Sequence, residues 1–341
     1  MNVLLIVFLL IIVSGMKVAD QNCYFDDYCS LTKTNAIKGI FVLVIFFCHS
    51  MDYLHLGSND QWVGEMSVYL KQLIVVPILF YSGFGVMESI KRKGLSYIRS
   101  IPLNKILKTL LWADIAVLCF AVLYWIMGIH LPVRQILLSL IFWEHIENNT
   151  WYFFVIIFLY LFTYVGFRLF HKNYYVAAVS TTIFSVPFFC FLISSRDIFW
   201  YNTFFVYHFG IYYSLLRERI EKIIMRNDIF YTTALLLAFI FWMFTRRLGS
   251  FYYFIVCGCF FMTVIVILTM KISIDNVYLQ FVGKHVFAFY AFHRLPLRIL
   301  TFTELGNVEK MVISVVGTCL IALCFDYVAT WLDKIIFSRV K

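Results

Sequence analysis

The sequence predicts an all-α, polytopic membrane helical bundle with about ten core transmembrane helices and a short N-terminal apolar segment. Of its 341 residues, 62% are hydrophobic, 20% are aromatic and only 14% are charged. A single soluble core of this length cannot bury so many apolar side chains. Apolar runs long enough to cross about 30 Å of hydrocarbon also recur along the chain. We therefore expect a protein that crosses the membrane many times.

Ten apolar runs have the length of a membrane span. They lie near residues 36–54, 66–88, 106–128, 151–170, 174–194, 199–216, 229–245, 250–270, 279–297 and 311–333. Another run, 135–143, is too short to cross and leads into a polar segment, so it is predicted to be re-entrant or interfacial. Counting it as a full span would invert every later loop.

The basic residues predict the orientation of these spans. If the first core span runs outward from the cytoplasm, nineteen of the 28 lysines and arginines lie inside, seven lie outside and two lie within spans. This distribution follows the positive-inside rule and explains the net charge of +9 without nucleic acid binding. The expected location is a plasma membrane, with residues 337–341 as a short cytoplasmic tail.

The N-terminal segment, residues 1–32, leaves two alternatives open. Residues 3–13 are apolar but few, no basic residue precedes them, and a weak cleavage candidate follows near Ala19. The segment is either an extra helix with its N-terminus outside, which the charge rule favours, or an atypical signal sequence. In the first case Cys23 and Cys29 stay cytoplasmic thiols, and in the second a disulfide between them becomes possible.

Two ionisable residues within the first core span indicate a functional site. Lys38 and His49 are eleven residues apart, which places them on nearly the same helix face, about 16 Å apart along the axis. Charged groups at such depth are costly and usually mark function. Asp52, one turn further on, is expected to orient His49 as a general base. The structural alternative is a histidine hydrogen bonded at the span end and a lysine anchored at the interface.

A second group of basic residues lies on the predicted cytoplasmic side. Lys105 and Lys108 are three residues apart on one helix face, where two ammonium groups can bind phosphates. Arg92 lies in the basic loop before them. The alternative is an ordinary cytoplasmic loop that satisfies the charge rule. No metal site is predicted, because the cysteines lack paired ligand spacing.

Together these residues resemble the acyltransferase-3 family of integral membrane acyltransferases, especially members that act on bacterial surface polysaccharides. The resemblance covers residues 33–336, the predicted transmembrane domain. Lys38 and His49 match the family's basic residue and histidine, which are separated by ten residues. Phe80-Tyr-Ser-Gly-Phe84 resembles its apolar stretch with Ser-Gly, and Lys105 and Lys108 resemble its basic pair. Trp151 opens a span as the family's tryptophan does, and Gly283-Lys284, Tyr290 and His293 resemble a motif near the C-terminal end of the family domain. The chain departs from the family by having lysine for arginine at both basic motifs, by lacking an acidic residue shortly after Trp151, and by its extra N-terminal segment.

The resemblance implies a membrane O-acyltransferase that moves an acetyl or other short acyl group from cytoplasmic acyl-CoA to a sugar hydroxyl. Acetyl-CoA is the expected co-substrate, a polysaccharide or lipid-linked glycan the expected acceptor, and the bacterial inner membrane the expected location, with membrane lipids as further partners. The implied roles are His49 and Asp52 in catalysis, Lys38, Arg92, Lys105 and Lys108 at the donor phosphates, and Ser82, Trp151, Tyr290 and His293 around the cavity.

Two other functions fit the same residues. A secondary transporter or flippase for a glycolipid or small anion would use His49, Asp52 and Lys71 as a proton-coupled path. The cytoplasmic basic cluster favours an enzyme, because a nucleotide-bearing donor needs such a cluster and a transporter does not. An inactive acyltransferase-like partner or sensor would keep the fold and tolerate loss of His49.

Overall fold

The structure is a computed structural model, which describes residues 1–55, 57, 60–147, 150–249 and 251–336. The predicted tail, 337–341, lies outside the described residues. The helices are α1 (Asn2–Ser14), α2 (Leu31–Ser50), α3 (Gln61–Leu70), α4 (Val76–Lys93), α5 (Leu95–Ile101), α6 (Lys108–Ile126), α7 (Val133–Leu140), α8 (Thr150–Leu169), α9 (Tyr174–Ser195), α10 (Phe205–Ile224), α11 (Asp228–Leu248), α12 (Phe251–Lys271), α13 (Val277–Lys284), α14 (Val286–Phe292), α15 (Arg294–Leu300) and α16 (Asn307–Ile336). The strands are β1 (Met16–Val18) and β2 (Ile272–Ile274).

The all-α, multi-pass prediction is confirmed. Within the described residues, eight helical stretches are long and apolar enough to cross a membrane. Two of them are composite: a 3₁₀ turn, Lys71–Val75, joins α3 to α4, and a π-helical segment, Pro102–Leu107, joins α5 to α6. The helices expose large apolar side chains along their length, as lipid-facing surfaces do.

The other two predicted spans take a different form. Residues 205–216 of the run 199–216 lie in α10, and the residues before Phe205 form a 3₁₀ turn, Ile198–Trp200, and a further turn. The second half of α10 carries several charged residues, which lower its apolar character. The run 279–297 is divided among α13, α14 and α15, with breaks at His285 and His293. Backbone that departs from a continuous helix at membrane depth is tolerated where protein surrounds it. These breaks are therefore a first indication of a site inside the bundle.

The bundle has two ends, and each can be recognised by its polar contacts. At the first, called the basic end, Lys108 pairs with Asp333 at 2.6 Å and Lys33 pairs with Asp275. At the other, called the histidine end, the Asn307 amide donates to the His55 carbonyl oxygen at 2.7 Å. The contacts join residues that the charge rule places on the same side of the membrane. Both α10 and the α13–α15 series run between these ends.

Two glycines bring α2 and α13 into direct backbone contact. A Cβ atom on Gly39 would overlap the Leu279 carbonyl oxygen, and one on Gly283 would overlap the Asn35 carbonyl oxygen. Helices in a membrane pack tightly through such small residues. This crossing fixes α2, which carries Lys38 and His49, against the broken helix series that carries His293.

The N-terminal segment packs onto the same bundle. Helix α1 leads into β1, which pairs antiparallel with β2 and places Lys17 opposite Ser273. The Asn276 amide donates to the Ile11 carbonyl oxygen at 3.0 Å. The segment is therefore helical and packed, and the choice between the extra helix and the signal sequence stays a prediction.

Residues 135–140 of the short run 135–143 lie in α7, which has eight residues and a length of about 12 Å. It begins after Pro132, ends at Leu140 and is followed by turns. Its length is well below that of a membrane span. The structure therefore agrees with the prediction that this run does not cross, and the orientation of the later helices stays a prediction.

Candidate active site

A cavity of about 770 Å³ extends into the bundle from the basic end. It lies between α2, α4, α8 and α14 and the helix junction before α6. Its lining begins with the exposed side chains of Arg92 and Asn104 and reaches the buried rings of Tyr152 and Tyr290. The cavity therefore connects the basic surface with the interior of the bundle.

All four residues predicted to hold donor phosphates line this cavity. Lys38 comes from α2, Arg92 from the last turn of α4, Lys105 from the π-helical segment and Lys108 from the first residue of α6. As predicted, Lys105 and Lys108 lie on one face of their helical segment, since both side chains line the cavity. Their convergence brings together residues that are up to 70 positions apart in the chain.

Positive charge exceeds negative charge in the cavity lining. Five of the lining residues are basic and one, Glu88, is acidic. Glu88 pairs with Lys91 at 2.5 Å and lies 4.0 Å from Arg217, while Lys108 is held by Asp333. Within the described part of the chain, no carboxylate lies within 4.0 Å of the charged nitrogens of Lys38, Arg92 or Lys105. Such a surface attracts an anion.

The fifth lining cation, Arg217, was not among the predicted site residues. It lies in α10, where its side chain pairs with Glu221, one turn further on, at 3.3 Å. The sequence shows this spacing of four residues but gives no indication that α10 faces the cavity. That placement depends on the close packing of α10 against α4, where a Cβ on Gly83 would overlap the Tyr207 carbonyl oxygen.

At the histidine end, His49 forms a pair with His293. Nδ1 of His49 lies 2.8 Å from Nε2 of His293, and the two rings are nearly parallel, 14° apart, with centroids at 5.0 Å. His293 is 2% exposed, whereas His49 at the end of α2 is partly accessible. The two residues are 244 positions apart, so only the tertiary fold brings them together.

The hydrogen bonds around this pair determine which nitrogens carry protons. Nδ1 of His293 lies 2.9 Å from the Phe289 carbonyl oxygen and 3.1 Å from that of Tyr290. Carbonyl oxygens only accept, so this Nδ1 carries a proton, and in neutral His293 the other nitrogen, Nε2, accepts. His49 then donates from Nδ1, and its own Nε2 is the unprotonated nitrogen. This is the tautomer that a general base requires.

The predicted contact between Asp52 and His49 is replaced by other contacts. The Asp52 carboxylate pairs with Arg294 at 3.0 Å, and the hydrogen bond to Nδ1 of His49 involves His293. The physical reason is that α2 ends at Ser50, so Asp52 lies in the following turn and no longer continues the helical face. The catalytic role assigned to Asp52 stays a prediction, and the structure gives the orienting contact to His293.

The remaining predicted cavity residues divide into two groups. Ser82 and Tyr290 line the cavity, whereas Trp151 and His293 are not in its lining. Trp151 packs edge-on against Tyr152, with ring centroids 6.0 Å apart, and so supports a lining residue from behind. His293 lies beyond Tyr290, whose ring centroid is 6.5 Å from that of His293. Tyr290 thus connects the cavity with the histidine pair.

Comparison with protein-family models, characterised proteins and solved structures finds no match to this chain. Within the described residues, no group of three or more histidine, cysteine, aspartate or glutamate side chains is arranged to hold a metal ion. The cavity and the histidine pair are therefore the features of this protein that bear on its function.

Proposed function

We propose that this protein is a membrane acyltransferase that moves a short acyl group from acyl-CoA to the hydroxyl of a sugar in a surface or exported glycan. The observation that carries the proposal is the convergence of Lys38, Arg92, Lys105 and Lys108 on one cavity whose inner wall contacts the His49–His293 pair. The binding charges and the candidate base thereby lie on the two sides of Tyr290, which lines the cavity and contacts His293.

The donor half of the proposal rests on charge. Coenzyme A carries several phosphate groups, and the cavity presents an excess of cations near its opening. Lysines act as point charges and lack the paired donors of arginine, so Lys105 and Lys108 bind phosphates with less directional specificity. Arg92 and Arg217 supply guanidinium groups to the same lining.

The chemical half of the proposal rests on the histidine tautomers. Nε2 of His49 takes the proton of the acceptor hydroxyl while the hydroxyl oxygen attacks the thioester carbonyl carbon. The new C–O bond forms as the C–S bond breaks, and coenzyme A leaves as a thiolate that takes the proton back from His49, which returns the base to its neutral form. His293 accepts from Nδ1 of His49 throughout and keeps the ring oriented.

The proposal also assigns a direction across a bacterial inner membrane. The basic end faces the cytoplasm, where acyl-CoA is available, and the histidine end faces the side on which a polysaccharide or lipid-linked glycan is presented. The excess of lysine and arginine at the basic end supports this orientation. The C-terminus is then cytoplasmic.

The experiment measures the O-acetyl content of surface glycan in cells that lack the endogenous gene. The cells are complemented with wild type, His49→Ala, Lys105→Ala/Lys108→Ala or the control His130→Ala, each at matched membrane abundance. His130 is an exposed histidine outside the pair. We expect wild type and the control to restore acetylation, His49→Ala to abolish it and the double lysine variant to reduce it.

Other results would favour other functions. Full restoration by His49→Ala contradicts the catalytic assignment. If wild type leaves glycan acetylation unchanged and instead alters the distribution of a glycolipid across the membrane, the transporter alternative is correct.

A further inference from the structure

The inner end of the cavity is closed by a wall of aromatic rings. Tyr152, Phe153 and Tyr290 are the buried rings of this wall, at most 8% exposed. The Tyr152 and Tyr290 centroids are 5.0 Å apart, and Phe153 meets Tyr290 edge-on at 5.7 Å. Close-packed rings of this kind leave little room for a longer occupant.

The wall lies between the cavity and the histidine pair. Tyr290 precedes His293 by three residues, its carbonyl oxygen accepts from Nδ1 of His293, and its ring faces the cavity. On α4 the lining extends from Arg92 at the mouth to Ile78, a rise of about 21 Å. A ligand anchored by its phosphates at the mouth therefore directs its opposite end toward the wall.

A packing contact supports the wall from behind. Trp151 packs edge-on against Tyr152, with ring centroids 6.0 Å apart. In the lining beside the wall, the Ser82 hydroxyl donates to the Ile78 carbonyl oxygen of its own helix at 2.8 Å. The Tyr152 ring is thus held between Trp151 and Tyr290.

We propose that the Tyr152–Tyr290 wall limits the transferred acyl group to about the size of acetyl. The inference rests on the proposed function, because it takes acyl-CoA as the ligand and its thioester as the end that reaches the wall. Each added methylene of the acyl chain must displace a packed ring, and such overpacking is unfavourable. Tyr290 and Tyr152 are in this sense specificity-determining residues, distinct from the base.

The test measures binding of unreactive S-alkyl thioethers of coenzyme A to the purified protein. The alkyl groups are ethyl, butyl, hexyl and octyl, and affinities are obtained by calorimetry in detergent. The variants are Tyr290→Ala, Tyr152→Leu and Tyr290→Phe, with Tyr97→Ala as a matched control. Tyr97 is a tyrosine that lines the same cavity away from the wall.

For wild type, Tyr290→Phe and Tyr97→Ala, we expect the ethyl compound to bind at least about tenfold more tightly than the octyl compound. This ratio corresponds to about 1.4 kcal/mol. Tyr290→Ala should bring the ratio close to one by opening the wall. Tyr152→Leu should do the same through the second ring, so the test does not depend on one variant remaining folded.

The outcomes separate the two proposals. Equal affinity of wild type for all four compounds overturns the wall's role and leaves the donor site intact. If Tyr97→Ala loses the preference for the ethyl compound as fully as Tyr290→Ala does, the wall's role is also overturned. The wall would then not be the cause of that preference. If wild type binds none of the compounds, both the acyltransferase proposal and the wall's role are wrong.

Discussion

The two ends of the bundle use charge in opposite ways. At the histidine end, each arginine of α15 meets a carboxylate: Arg294 pairs with Asp52 at 3.0 Å and Arg298 lies 3.7 Å from Glu147. At the basic end, five cations and one carboxylate line the cavity. The arginines of α15 are therefore balanced by carboxylates of the protein. In the cavity lining, Lys108 and Arg217 also have carboxylate partners, but within the described residues Lys38, Arg92 and Lys105 have none within 4.0 Å. We call the two ends balanced and unbalanced in this sense.

This difference supports the functions that we propose for the two ends. Unbalanced cations around an open cavity form a binding surface for phosphates. A balanced environment suits an uncharged acceptor such as a sugar hydroxyl, and it leaves the imidazoles as the groups that move protons. The division matches a reaction whose donor is an anion and whose acceptor is neutral.

The largest expected effect comes from removing the base at the balanced end. His49→Ala should lower acyl transfer by about 10²- to 10⁴-fold, the usual contribution of general base catalysis. Its affinity for coenzyme A should change little, because the phosphates bind at the other end. Transfer rates and calorimetric affinities measured on the same purified variant check both statements.

A matched variant sharpens this result. His293→Gln should lose less activity than His49→Ala, since a side-chain amide oxygen can still accept from Nδ1 of His49. The pH profile should change in His293→Gln, which a merely structural role would not produce. Equal loss in both variants with an unchanged pH profile in His293→Gln would contradict the orienting role.

The next largest effect is expected from a variant that disturbs the crossing of α2 and α13, which connects the two ends. Gly39→Ala places a methyl group on the Leu279 carbonyl oxygen and should cost about 1–3 kcal/mol as the helices move apart. Both the donor affinity and the transfer rate should fall, because α2 carries Lys38 and His49. Thermal unfolding in detergent measures the loss of stability.

The control for that variant is Gly64→Ala. Gly64 lies in α3, and apart from its own helix no described group lies within 4 Å of the position its Cβ would occupy. This variant should keep the melting temperature and the activity of wild type. A similar loss in Gly64→Ala would mean that glycine in these helices matters for a reason other than the close crossing.

Much of this comparison could be predicted from the sequence. The apolar runs predicted the spans because length and composition are local properties. The Lys38–His49 spacing and the Lys105–Lys108 spacing predicted shared faces, and the cavity contains both lysines of the second pair. Local periodicity therefore predicted that Lys105 and Lys108 share one face, and their role in binding the donor stays a prediction.

The histidine end was harder to predict, because its contacts are long-range. The sequence suggested Asp52 as the partner of His49 on the assumption that the helix continues, but the helix ends at Ser50. The observed partner, His293, is brought close by the Gly39–Gly283 crossing, which depends on two helices far apart in the chain. Nor does a hydropathy pattern show that the run 279–297 breaks into three helices.

A smaller effect tests the unbalanced end directly. Lys105→Ala should raise the KM for acyl-CoA about tenfold, close to 1.4 kcal/mol, with little change in kcat. The dependence of affinity on salt should weaken in the variant, because one cation no longer attracts the phosphates. Steady-state kinetics at two salt concentrations provide the measurement.

The matched control is Lys93→Ala. Lys93 is an exposed lysine at the end of α4, on the same side of the bundle but outside the cavity lining. Its loss should leave KM unchanged if the cavity binds the phosphates. If both lysine variants raise KM equally, the general charge of the surface, and not the cavity, attracts the donor.

The smallest expected effect concerns the cations at the basic end that do have a carboxylate. Asp275 pairs with Lys33 and lies 3.1 Å from Lys17, and Lys33 also donates to the Ser273 hydroxyl at 2.5 Å. The hydrogen bond from Lys33 holds the pKa of Asp275 below its usual value of 3.8. A carboxyl group whose pKa is lower in the folded state stabilises the fold above its unfolded pKa.

The stabilising contribution of Asp275 should therefore be complete near neutral pH and disappear as the pH falls below 3.8 through the folded pKa. Asp275→Asn should lower the free energy of unfolding by less than about 1 kcal/mol near pH 7, since the pair is partly exposed. Melting temperatures of wild type and variant should then converge as the pH falls.

The same variant also tests whether Lys33 binds the donor. Because Asp275 and Lys33 neutralise each other's charge within the protein, Asp275→Asn should leave the affinity for acyl-CoA unchanged. A large loss of affinity would contradict this expectation. Lys33 would then belong to the cations that bind the donor, although it has a carboxylate partner.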